Sequence, residues 1–145
     1  MGKVATVNPF LGMAGGRTSK RRGGEWFSAL VVTTASGTID AAASDPIEEA
    51  RITVVKTATK TGRYTITLPD KYRKFCGGFV TILGPDDANI GANTKGLDAF
   101  FRDNDVDGGA NDGTIELQFV QASYADAELP DGVSFIVTLL AMRGI

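Results

Sequence analysis

The stretch RITVVKTATKTGRYTITL, residues 51–68, decides the fold class. Its first seven residues are dominated by β-branched side chains, which fit a pleated and half-buried surface. Its last six alternate with period two, so that Tyr64, Ile66 and Leu68 share one face and Arg63, Thr65 and Thr67 the other. Thr61 and Gly62 between the runs are turn residues, so the two runs are predicted to pair as a hairpin. The same alternation recurs along the chain. Residues 114–121 place Ile115, Leu117 and Phe119 on one face, with Glu116, Gln118 and Gln121 turned outward. Residues 132–142 place Val133, Phe135, Val137 and Leu139 on one face and Ile136 and Leu140 on the other. A strand apolar on both faces is expected to lie centrally in a sheet or at a subunit interface.

Residues 26–34 (WFSALVVTT) and 78–83 (GFVTIL) read as further strands, and 97–102 (LDAFFR) as one more inside the irregular stretch 88–112. A short segment is expected around Thr38, Ile39 and Asp40. Asp45 is placed to cap a single turn led by Pro46, and residues 69–72 to form a turn or short helical corner. No long run keeps a 3.6-residue period. Seven to eight strands with regular turn signals predict an all-β chain, an antiparallel β-sandwich of jelly-roll or Greek-key type.

A chain of 145 residues is the size of one domain and buries a core without staples. Its 18 glycines are well above the usual share of about 7% and fit a turn-rich fold. There is no histidine, which excludes Ser-His-Asp and Cys-His catalysis and His-ligated metals. The single cysteine, Cys76, excludes an internal disulfide and a CxxC redox pair. Cys76 is expected to be a small buried thiol, although Arg73 and Lys74 beside it would favour a reactive thiolate. Glycine pairs occur without the lysine and spacing of a phosphate loop. The chain is expected not to be an enzyme; carboxylate, lysine or metal–oxygen chemistry is what remains open to one, paired-carboxylate glycoside hydrolysis among them.

Charge divides the chain. Residues 1–24 carry Lys3, Arg17, Lys20, Arg21 and Arg22 and no acid, which leaves ten basic and seventeen acidic groups beyond them, a net of −7. Residues 1–25 therefore read as a flexible basic N-terminal arm and 26–145 as one domain. Phe10 and Leu11 follow Pro9 as a short apolar anchor; with Arg17, Lys20, Arg21 and Arg22 they are the candidate partner-binding residues. An acidic protein suits so small a charge cluster better than nucleic acid does, because the acidic body repels phosphate. The arm lacks the apolar core of a secretory signal, and no apolar run is long enough for a bilayer.

Asp103, Asn104, Asp105, Val106, Asp107 and Gly108 match the first half of a calcium loop, with Asp103, Asp105 and Asp107 as the candidate ligands. The second half fails: position 12 is Thr114, where a bidentate Glu belongs. No cofactor is expected, and calcium is the one candidate. Acids cluster more widely over residues 86–116, where only Lys95 and Arg102 oppose them; such a patch suits a basic arm or serves solubility.

The run GRYTITLPDKY, residues 62–72, resembles the G-x-Y-T-V-x-L-x-D-x-Y segment of the capsid decoration, or cement, proteins of tailed bacteriophages. The ending DGVSFIVTLL, residues 131–140, is similar to their closing strand. The resemblance spans about residues 50–143 and leaves the arm without a counterpart. It implies a non-enzymatic β-sandwich protein of the virion. Such a protein binds the outer surface of the icosahedral capsid as a homo-dimer or homo-trimer and clamps neighbouring major capsid subunits, with no membrane or nucleic-acid contact. Self-association would use Ile136 and Leu140. The alternative is a tail or tail-fibre component that binds a host glycan through loops, with Phe100 and Phe101 available to it.

Overall fold

The computed structural model describes residues 24–44, 51–84, 96–106 and 112–143, with the side chains of Asp103 and Asn104 excepted. Among these residues seven strands form: β1 (Gly24–Val32), β2 (Thr53–Lys56), β3 (Arg63–Thr67), β4 (Lys74–Leu83), β5 (Asp98–Asp105), β6 (Thr114–Val120) and β7 (Ser134–Met142). They make two antiparallel sheets, one ordered β1-β7-β4 and the other β2-β3-β6-β5. The chain is all-β.

The alternation in the sequence sets the inner faces. β1 turns Phe27, Ala29 and Val31 inward, and β7 turns Phe135, Val137, Leu139 and Ala141. Tyr64 and Ile66 of β3 and Ile115, Leu117 and Phe119 of β6 come from the other sheet. The rings meet across the core: Phe135 lies 5.3 Å from Tyr64 and 5.0 Å from Phe119, centroid to centroid. Nearer one edge Phe75 of β4 meets Phe101 of β5 edge-on at 5.1 Å. Such aromatic pairs add to the area they bury.

The predicted hairpin is β2–β3, with Thr53 opposite Thr67 and Lys56 opposite Tyr64. Its turn needs Gly62, which has φ +60° and whose added Cβ would lie 1.9 Å from the Ala127 carbonyl oxygen. β7 is the central strand of its sheet, as its two apolar faces predict. Other expectations shift. Thr38 to Asp40 do not make a strand; Ile39 keeps a single bridge to Thr33 after a 3-10 turn at Ala35–Gly37. Residues 69–72 turn without a helix. β5 runs on to Asp105, past the boundary expected at residue 102, through an irregularity in its pairing between Phe101 and Asp103. The turn expected at Asp45 lies outside the described residues.

Candidate interaction surface

β1 takes in Gly24 and Glu25, two residues ahead of the strand expected from Trp26. Glu25 is almost fully buried, a costly place for a carboxylate unless it is paired. It is paired. The Tyr72 hydroxyl donates to Glu25 Oε2 at 2.6 Å, Arg143 Nε donates to Oε1, and Arg51 stands 3.8 Å from Oε2. Arg143 reaches on to Asp70 at 3.1 Å and lies over the Tyr72 ring. Three distant parts of the chain thus converge on the residue that follows the basic segment. The Lys71 backbone amide and the Arg143 guanidinium hold the Asp70 carboxyl below its ordinary range, and hydrogen bonding to Glu25 raises Arg143. Burial, then the hydrogen bond to Glu25, pushes the Tyr72 hydroxyl well above its ordinary value.

The two sheets present unlike outer faces. That of β2-β3-β6-β5 is polar, carrying Thr53, Thr65, Thr114 and an Arg63–Glu116 ion pair at 3.8 Å, with Asp98 and Asp105 exposed toward one edge. Gln118, expected to point into solvent there, is instead fully buried. Its carboxamide donates to the Thr61 and Phe119 carbonyls and accepts from Arg63 Nε. The outer face of β1-β7-β4 is apolar. Ile136 and Leu140 lie on it, half-buried, with Trp26 and Phe79 exposed on the flanking strands at 38% and 57%. Lys74 is the only charged residue among the fifteen outward positions of its three strands.

Among the described residues the remaining candidates are not gathered into a site. Phe10, Leu11, Arg17, Lys20, Arg21 and Arg22 lie outside the described residues, as does Asp107. Asp103 and Asp105 are in β5, opposite Glu116 and Thr114, in extended chain where a calcium loop would coil. Among the described residues no three His, Cys, Asp or Glu side chains converge as for a metal. Cys76, expected to be buried, is exposed, because the register of β4 shifts between Phe75 and Gly77 and turns it out of the sheet. Phe100 is exposed on the polar outer face, whereas Phe101 packs inward. Among the described residues no helix is long and apolar enough to cross a membrane.

The features missed by sequence reasoning are the Glu25 cluster and the breadth of the apolar outer face. The face carried a signal: Trp26, Leu30, Ile136, Leu140 and Phe79 all occupy the outward parity of their strands once register is known. The Glu25 cluster carried none, since its members are scattered from residue 25 to residue 143. No protein-family model, no curated protein and no solved structure matches the chain.

Proposed function

We propose that the chain is a structural virion protein that binds the outer surface of an icosahedral phage capsid and clamps neighbouring major capsid subunits. The two sheets are then the halves of a β-sandwich with Greek-key or jelly-roll connections, a reading supported by the passage of the chain from sheet to sheet between β1 and β2, β3 and β4, β4 and β5, and β6 and β7. The observation that carries the reading is the junction at Glu25. Five cations and no acid precede a net-acidic body, and the body begins with a residue locked by Tyr72, Arg51 and Arg143. A basic segment rooted in a firmly packed strand is a tether. The resemblance of residues 62–72 and 131–140 to cement proteins supports the same reading and gives its partner, the major capsid protein, and its location, the capsid exterior. Many weak contacts repeated by icosahedral symmetry add up to firm attachment.

Co-sedimentation with stripped capsids tests it. Gly24 and Glu25 belong to β1, so the truncation ends at residue 23 and keeps that strand whole. The full chain should bind saturably. Deletion of residues 1–23, or reversal of Arg17, Lys20, Arg21 and Arg22 to Glu, should lower occupancy at least about tenfold. Unchanged occupancy of both variants would remove the tether. Failure of the full chain to bind would turn attention to the tail and glycan alternative, with Phe100 as the first residue to change.

A further inference from the structure

We propose that the outer face of β1-β7-β4 is a homodimer interface, closed by a two-fold axis running parallel to β7 across the face. This deepens the homo-oligomer part of the reading above and requires no capsid.

The proposal comes from register. Three successive outward rows cross the sheet: Trp26, Leu140 and Gly77; Ser28, Thr138 and Phe79; Leu30, Ile136 and Thr81. In each row one edge strand carries a bulky side chain and the other a small one. The bulky position also changes edge between the first two rows, from Trp26 on β1 to Phe79 on β4. A second copy turned about the proposed axis exchanges its β1 and β4 edges. Trp26 then faces the copy's Gly77, Phe79 its Ser28, and Leu30 its Thr81, while Leu140, Thr138 and Ile136 meet their own equivalents. Among the described residues a Cβ built on Gly77 meets nothing within 4 Å, which leaves room there for a side chain of the copy. Ser28 and Thr138 are 3.1 Å apart and hydrogen-bond each other, so one of the two hydroxyls already donates within the face. Facing sheets cross at about 30°, which preserves the pairing near the axis. Self-complementarity of this kind is what an isologous contact requires.

Charge and area agree. A body with net charge −7 beyond residue 24 repels its own copy. Among the fifteen outward strand positions of this face Lys74 alone is charged, so few like charges meet when two such faces close. Three strands of about nine residues, spaced about 4.8 Å and rising about 3.3 Å per residue, cover roughly 430 Å². Two such faces bury about 900 Å², in the range of weak and transient pairs. The expected dissociation constant is on the order of 10–100 µM.

Sedimentation of the full chain from about 10 µM to about 1 mM reads this directly. The wild type should form dimers. Ser28→Phe sets two phenylalanines against each other, and Phe79→Ser empties the contact; each should weaken association at least about tenfold. The double variant restores one large and one small partner and should recover most of the loss. In the monomer residues 28 and 79 lie two strands apart, so only pairing between copies explains such rescue. Thr65→Lys, on the polar outer face of the other sheet, should change nothing. A monomer at every concentration would overturn the proposal, as would a dimer indifferent to Ser28→Phe. A trimer would overturn the two-fold pairing and leave self-association standing. Dimers that form only after deletion of residues 1–23 would assign the face to the chain's own N-terminal segment and also overturn it. None of these outcomes bears on capsid binding, which co-sedimentation reads separately.

Discussion

The buried Glu25 carboxylate is compensated by the few groups that bond it. Arg143→Ala takes away the guanidinium that bonds one carboxylate oxygen and leaves Arg51 at the longer distance of 3.8 Å. Stripping one partner from a buried pair should cost about 3 kcal/mol, read as a lower midpoint in urea unfolding at unchanged slope. Tyr64 and Tyr72 set the alkaline limit of stability. Burial raises both hydroxyls, with Glu128 adding to the effect at Tyr64. Above about pH 10 the unfolded chain releases protons that the native tyrosines retain. Their contribution is therefore complete below that pH and is lost as pH rises beyond it. Absorbance at 295 nm should show these two tyrosines ionising together with unfolding, and ionisation in a chain still folded would contradict it. Little at this scale was legible in the sequence. Gln118 follows the outward parity of β6 and was read as solvated, yet Arg63 and the carbonyls of Thr61 and Phe119 enclose it. Parity gives the face of a residue but not what another segment lays over that face.

Elements were far more legible, because burial on one side of a sheet imposes period two on the sequence. The β2–β3 hairpin, β6 and β7 follow from alternation alone, and the central place of β7 follows from its second apolar face. What alternation missed is irregular. The register shift in β4 exposes Cys76, and the second irregularity lets β5 run on to Asp105. Both insert a residue; Gly77, at φ +109°, marks the first, and the second has no such mark. The hairpin turn yields a sharp expectation. Gly62→Ala forces a side chain onto φ +60° and into the Ala127 carbonyl, so it should destabilise by at least about 2 kcal/mol. A thermal melt unchanged from wild type would show that the turn can relax.

At the scale of the molecule, two proposed attachments divide the work by physics. The basic segment acts through charge, which salt screens within about 10 Å at 0.1 M. The sheet face acts through apolar area, which salt does not weaken. Raising ionic strength therefore separates capsid binding from self-association in one preparation. The sequence announced the first through its charge split. It announced the second only through Ile136 and Leu140, because Trp26, Leu30 and Phe79 join them by pairing across the sheet. The junction at Glu25 has one more consequence, and it is mechanical. A pull transmitted through residue 23 reaches β1 at Gly24, opposite Met142 in an antiparallel ladder. Tension applied there across the strand direction peels β1 from β7 one rung at a time, the geometry in which a ladder resists least. The next rung is Glu25 opposite Ala141, where the bonds to Tyr72 and Arg143 are made. The buried carboxylate is placed as a rip-stop at the point where a tear in the sheet would begin.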